Sequence, residues 1–277
     1  MTIEKIIHQI WITPSKIVAP VPAKYDKNIE SVKKYNPDWQ YMLWDENMIL
    51  ELMKANTKWL DTYNKFKYLH QKIDFSKYVI LYCYGGAYLD IDVEGAKSLT
   101  HLLNIYPGYD LILSYLKDNI FASLISVLNT HIINNGVILC KKNNILMDKF
   151  IDAIILEMNK NKTYVSKIYC IVFTTGPAIF TNFFDKNKDN KTLILDNKYL
   201  EPCMGSVCNV TNETYTIHQH DATWIPPILK NVRDFVIKNG MCLIIIGVII
   251  AVIIFASRYG PAAPLRARAE LVDGRIR

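Results

Sequence analysis

None of the six cysteines (83, 140, 170, 203, 208 and 242) belongs to a Cys-x-x-Cys pair, so the sequence shows no thiolate metal site of the usual spacing. Cys203 and Cys208 are expected to be free thiols; the alternative is a small loop disulfide in an oxidising compartment. No signal peptide is expected either. Residues 1–5 are polar, and the apolar stretch behind them is too short for a secretory h-region. The formal net charge of +6 is not a nucleic-acid footprint, because the lysines are scattered and no nucleic-acid motif accompanies them. Residues 1–257 contain a single arginine, Arg233, among many Lys, Asn and Ile. Residues 258–277 carry five arginines against Glu270 and Asp273, and no Lys or Asn. So abrupt a shift marks 258–277 as a tail of vector or read-through origin, or disordered, and it is set apart from functional reading.

The 277 residues are 51% hydrophobic, enough for one sizeable core or a domain plus an appendage. The appendage is expected at 239–257. Within it, residues 241–256 carry no charge, with Lys238 before and Arg258 after. At about 1.5 Å per residue this is near the lower limit for a membrane-spanning helix. Its sidedness stays open. The arginines behind it argue for a cytosolic C-terminus, while a C-terminal span without a signal peptide leaves the preceding domain in the cytosol.

Residues 1–232 are expected to form one catalytic domain. A buried strand at 6–12 ends at Thr13-Pro14, followed by a Pro-rich surface loop over 14–24. A helix is expected at 25–34, a turn at 36–39, a strand at 40–44, and a helix at 46–54 capped by Asp45. A helix within 63–84 is stopped by Gly85-Gly86 and followed by a short strand at 87–89. Further strands are expected at 109–115 and 137–140, helices at 144–159 and 178–184, and a charged surface loop at 185–192. Strands alternating with helices predict a mainly parallel sheet flanked by helices.

The chemistry concentrates at Asp90-Ile91-Asp92. In an extended segment both carboxylates point to one side and repel each other unless a cation joins them. Mg²⁺ or Mn²⁺ suits such oxygens together with those of a pyrophosphate. Asp74 and Lys77 lie three apart on one helical face, where a solvated ion pair is the alternative to a functional role. Asn134-Asn135-Gly136 carries a side-chain amide or, as the alternative, makes a tight turn. His218 and His220 share one side of an extended strand just before Trp224. A neutral imidazole can ligate Mn²⁺ beside carboxylates.

Residues 81–92 (Leu-Tyr-Cys-Tyr-Gly-Gly-Ala-Tyr-Leu-Asp-Ile-Asp) resemble the signature of the DXD-containing glycosyltransferase sugar-binding family. That family includes fungal initiating α-mannosyltransferases, the catalytic subunits of inositol-phosphoceramide mannosyltransferases and, distantly, the glucosyltransferase domains of clostridial toxins. Residues 6–11, 133–138, 175–177 and 218–224 resemble its other motifs in the right order. The resemblance implies an α/β fold of the GT-A (Rossmann-type) kind. It puts Trp11 against a nucleotide base, with Gly86 and Trp224 also at the donor. Asp90 would contact the donor ribose or sugar, and Asp92 and His218, with Asp90, would hold Mn²⁺ or Mg²⁺; His220 is the second choice of histidine. Asp74, Lys77 and Asn135 would contact the donor sugar or acceptor. Lys77 stands where the family usually has arginine, and it cannot form the bidentate fork.

The expectation is a metal-dependent, retaining glycosyltransferase moving a hexose, mannose favoured, from GDP-mannose or a UDP-hexose. The acceptor would be a membrane-borne glycolipid or glycoprotein. A single-pass location in a Golgi or ER membrane and a regulatory subunit go with it. The competing reading is a catalytically degenerate, membrane-anchored binding or complex-forming subunit. A two-metal phosphohydrolase would need more acidic ligands than Glu94 adds.

Overall fold

Strand β1 (Ile6–Ile10) starts the fold and is almost wholly buried. α1 (Asp26–Tyr35) leads to β2 (Gln40–Trp44), which lies parallel to β1 in register from Ile6 opposite Gln40 to Ile10 opposite Trp44. This computed structural model describes residues 2–239 other than 15–18, 117–130, 161, 165, 205–206, 222–226, 229, 232–233 and 236–238. Trp224, residues 240–257 of the expected membrane segment and the 258–277 tail lie outside the described residues. Among the described residues no helix is long and apolar enough to cross a membrane.

After β2, α2 (Glu46–Lys54) begins where the Asp45 side chain accepts from the Met48 amide at 2.9 Å, satisfying an otherwise orphaned N–H. Asn56 caps α3 (Thr57–Lys65) in the same way, and α4 (Leu69–Tyr84) follows. α4 stops at Gly85, whose φ of 69° is a left-handed value that costs glycine little. β3 (Gly86–Leu89) then enters the sheet beside β1, again parallel. Here glycine is required twice. Gly86 has φ 97°, and a Cβ on it would lie 2.2 Å from the Ile6 carbonyl oxygen.

β4 (Val93–Gly95), α5 (Leu99–Ile105), β5 (Leu111–Tyr115) and β6 (Ile133–Cys140) follow. The second half contains α6 (Ile145–Met158), α7 (Lys167–Thr174), α8 (Pro177–Asn187), β7 (Thr192–Leu195) and α9 (Asn197–Leu200). It closes with β8 (Cys203–Met204), β9 (Val207–Cys208) and β10 (Thr216–His218). The main sheet has the order β2-β1-β3-β6-β5-β7, and only β6 runs against its neighbours. The expectation of a mainly parallel α/β sheet holds at that level.

Apolar side chains cover both sheet faces. Tyr63, Phe75, Tyr78, Phe150, Phe180 and Phe184, from α3, α4, α6 and α8, fill one side. Val32, Trp39, Leu99, Leu102, Leu200 and Tyr215 fill the other. Full burial of each such side chain contributes about 1.5–3 kcal/mol.

Five local expectations need correction. Asn134-Asn135-Gly136 is not a tight turn but belongs to the first half of β6. Asn134 pairs with Ser114 of β5 and the Gly136 carbonyl accepts from the Asp90 amide, and these long-range contacts outweigh the local turn preference. The strand expected from 109 starts at Leu111, and the charged stretch after 185 is helical to Asn187. Cys203 and Cys208 are joined in a disulfide, because β8 and β9 pair them directly across a hairpin. The last is the Asp90–Asp92 segment, described next.

Candidate functional site

Asp90 leaves β3 as its amide donates to the Gly136 carbonyl at 2.8 Å, and the Val93 amide donates back to the Asp90 carbonyl at 3.0 Å. Asp90–Val93 is therefore a turn, not extended chain, and the alternation argument for a shared side fails. The carboxylates converge for another reason. β10 pairs antiparallel with β4 and sets His218 opposite Val93. The His218 Nε2 then lies 3.2 Å from Asp92 Oδ1 and 3.8 Å from Asp90 Oδ2. Backbone closes around the second acid as well. The Gln219 amide donates to the Asp92 carbonyl at 3.1 Å, and the Asp221 amide to Asp92 Oδ2 at 2.8 Å.

Gly136 makes room for this cluster. A Cβ there would sit 2.4 Å from His218 Cε1 and 2.9 Å from Asp90 Oδ2. β10 ends at His218, and His220 adopts φ 51°, so its ring stacks on that of His218 with centroids 3.9 Å apart. The two histidines do share a side, though through this left-handed residue and not through strand alternation.

Sequence reasoning missed Glu201. It is 1% exposed, directly after α9, and both its oxygens lie 3.2 Å from His218 Nδ1. Its Oε2 is also 3.2 Å from His220 Nε2. No local pattern announces it; a lone glutamate before Pro202 resembles any loop acid. Burial opposes charge on all three partners, yet Glu201 and Asp92 hold the His218 imidazole charged well above its ordinary range. In return, and again against burial, His218 keeps Glu201 ionised down to about 2 and Asp92 below the usual carboxylate range.

Beside the cluster, Lys77 is 2% exposed, which rules out a solvated ion pair. Its Nζ contacts Asp74 Oδ1 at 2.8 Å and Asp90 Oδ1 at 3.8 Å. Burial works against its charge, but Asp74 and Asp90 more than compensate and keep the ammonium protonated. Asp74 also accepts from Asn135 Nδ2 at 3.1 Å and from Thr175 Oγ1 at 3.0 Å. The Tyr88 hydroxyl donates to Asp90 Oδ1 at 2.8 Å. Buried Asp74, Lys77 and Asn135 thus form one network with the part-exposed Asp90.

A cavity of about 570 Å³ opens onto both groups. Trp11, Tyr25, Asp74, Lys77, Asp90, Asp92, Asn135, His218 and His220 all line it. Trp11 is half-buried against Tyr25, with ring centroids 5.7 Å apart. Its indole N–H is buried and has no hydrogen-bond partner among the described residues. The Tyr25 hydroxyl donates to Asp221 Oδ2 at 3.0 Å, tying this wall to the segment around Asp92. Gly86 is not among the lining residues; it lies in β3 beneath Ile6.

The donor set suits a divalent cation. Asp90, Asp92 and His218 each offer a ligand atom, all within 4.8 Å of one another. A cation bound there would relieve the same repulsion between the acids that the charged His218 imidazole relieves. Two carboxylates with one nitrogen and room for further oxygens fit Mn²⁺ or Mg²⁺ better than a soft metal.

Residues 22–111 match the family model described as a glycosyltransferase sugar-binding region containing a DXD motif. A glycosyltransferase of Acanthamoeba polyphaga mimivirus, L373, is 29% identical over 234 residues, covering 81% of this chain and 84% of that protein. Inositol phosphoceramide mannosyltransferase 1 of Schizosaccharomyces pombe is 32% identical over 106 residues, covering 37% of this chain. The chain matches only 32% of that yeast protein's length. Among solved structures, mouse xyloside xylosyltransferase 1 is similar at 10% identity with a TM-score of 0.44, covering 81% of this chain and 100% of that one, and the galactosyltransferase LgtC at 13% identity with a TM-score of 0.42, covering 78% and 87%.

Proposed function

For a chain that carries the DXD-type glycosyltransferase domain, we propose that Asp90, Asp92 and His218 hold Mn²⁺ or Mg²⁺ against the diphosphate of a nucleotide sugar, whose hexose passes to an acceptor hydroxyl. The observation that carries this reading is the convergence of those three side chains on a cavity that Trp11 also lines. The orphaned Trp11 indole N–H supports a polar ligand at that wall, and the flat ring suits a base. A bound cation would neutralise the charge that develops on the departing diphosphate.

The chain's own groups do the rest. Asp92, gripped by the Asp221 and Gln219 backbone, is held in place before any ligand arrives. Lys77 fixes Asp90 on one side and Asp74 on the other, so a lysine in place of the expected arginine acts by ordering acids as well as by facing substrate. Asp74 accepts from Lys77, Asn135 and Thr175 and is a poor nucleophile in that state. Its engagement argues against a covalent glycosyl-enzyme and leaves an oxocarbenium-like centre; retention of configuration rests on the family resemblance alone. Asn135 spends its amide hydrogens on Asp74 and the Tyr78 hydroxyl, which leaves its Oδ1 to face the donor sugar or the acceptor.

Mannose is the favoured hexose, from GDP-mannose or a UDP-hexose, because the yeast relative is named a mannosyltransferase. The inositol phosphoceramide in that relative's name and the uncharged 241–256 run support a membrane-associated glycolipid, or else a glycoprotein, as acceptor. With them go a domain at 1–232, an anchor at 239–257 in a Golgi- or ER-type membrane, and a regulatory subunit. Turnover of a donor panel with Mn²⁺, wild type against Asp92→Asn, tests the reading. Donor-specific turnover lost in the variant supports it. Equal background turnover in both would favour the degenerate binding subunit.

A further inference from the structure

Glu201 is a charge in an expensive place. It is 1% exposed, and the side-chain partners it has are the two stacked histidines. Burying a carboxylate costs several kcal/mol before its partners repay it, and an apolar residue would seal the same spot at less cost. Its geometry suggests what the charge does. Both oxygens meet His218 at Nδ1, whereas Nε2 is the nitrogen that faces Asp92 and Asp90.

A neutral imidazole has one N–H and one lone pair. If Nδ1 keeps the proton, Nε2 presents its lone pair to the acids; if Nε2 keeps it, the ring cannot ligate there. One neighbour pulls the other way. The Asn134 amide nitrogen is also 3.2 Å from Nδ1 and could donate to a lone pair on it. A charge-assisted bond to carboxylate is roughly twice as strong as a neutral one, so Glu201 prevails over Asn134. Stacking on His220, itself 3.2 Å from Glu201, fixes the plane of the ring.

We propose that Glu201 is a positioning residue: it holds His218 in the Nδ1–H tautomer and so aims the Nε2 lone pair at the space between Asp90 and Asp92. This rests on the cation site proposed above. Carboxylates behind ligating histidines raise ligand basicity, and their loss typically lowers metal affinity about 10- to 100-fold.

The test is Mn²⁺ binding, read from the electron paramagnetic resonance of the free ion, in wild type, Asp92→Asn and Glu201→Gln. It is joined by ¹⁵N spectra of the His218 ring in Mg²⁺-loaded wild type. The expected results are affinity lowered about 10- to 100-fold in Glu201→Gln and an Nδ1–H ring in the wild type. A role in packing alone would lower the melting temperature without changing the tautomer. If Glu201→Gln fails to fold, the wild-type spectrum decides. Affinity within threefold of wild type in folded Glu201→Gln, or an Nε2–H ring in the loaded wild type, would overturn the proposal. If Asp92→Asn loses Mn²⁺ while Glu201→Gln keeps it, the cation site stands and only the role of Glu201 falls. A wild type that binds no Mn²⁺ removes both.

Discussion

Gly136→Ala is the sharpest small perturbation available at the site. The added Cβ would lie 2.4 Å from His218 Cε1, 2.7 Å from His218 Nδ1 and 2.9 Å from Asp90 Oδ2. Ordinary contact begins near 3.4 Å, so the ring must retreat by about 1 Å or β6 must shift by as much. Gly136 has no ladder partner on β5, but its carbonyl accepts from the Asp90 amide at 2.8 Å and the neighbouring Val137 pairs with Leu89, so that edge holds the backbone and the ring gives way. Metal–ligand distances tolerate about 0.2 Å, and a 1 Å retreat takes the imidazole out of coordination. Mn²⁺ affinity is then expected to fall by about 100-fold or more, in line with loss of a direct ligand and at least the upper end of outer-shell losses. The overpacking itself costs about 1–3 kcal/mol of stability. Thermal unfolding followed by Mn²⁺ titration separates the two effects. A folded Gly136→Ala protein that binds Mn²⁺ within threefold of wild type would refute the reasoning.

Three further outcomes follow from the same geometry. Lys77→Met removes the ammonium from buried Asp74 and from part-exposed Asp90 and is expected to cost about 3–5 kcal/mol, mostly at Asp74, measured by denaturant unfolding; Lys77→Arg should recover part of it. Because the metal-free His218 is protonated well above its ordinary pKa, a cation must displace that proton. Mn²⁺ affinity should therefore rise with pH, by up to tenfold per unit, until His218 is neutral without metal; calorimetry in two buffers should find a proton released near pH 7, and a flat pH profile would contradict this. Cys203→Ser opens a loop whose closure entropy is worth about 2 kcal/mol, so its melting temperature should fall while Mn²⁺ affinity holds, since neither cysteine lines the cavity onto which the acid cluster opens.

Much of the scaffold could be read from local signals. The Asp45 cap and the 40–44 strand repeat in the structure as expected, because each depends on neighbours in sequence. The double glycine was also legible as a break, though its second requirement, clearance beneath Ile6, is a long-range fact. Long-range pairing accounts for what was missed. Asn134-Asn135-Gly136 prefers a turn in isolation and becomes strand only through the pairing of Asn134 with β5 and the bond from the Asp90 amide to the Gly136 carbonyl. Asp90 and Asp92 do converge, but through a turn and not through extended chain. The β4–β10 ladder brings His218 to them. Glu201 had no signal at all, since its meaning comes from two histidines seventeen and nineteen residues further on. The Cys203–Cys208 bond depends on a two-strand hairpin that composition does not reveal.

The central claim is that a cation at Asp90, Asp92 and His218 carries the diphosphate. Calorimetric binding of GDP and UDP, with Mn²⁺ and with chelator, in wild type and Asp92→Asn, tests it most directly. The account predicts that Mn²⁺ strengthens binding of at least one nucleotide about 100-fold in the wild type and leaves the variant unchanged. Equal affinity with Mn²⁺ and with chelator in the wild type would contradict it.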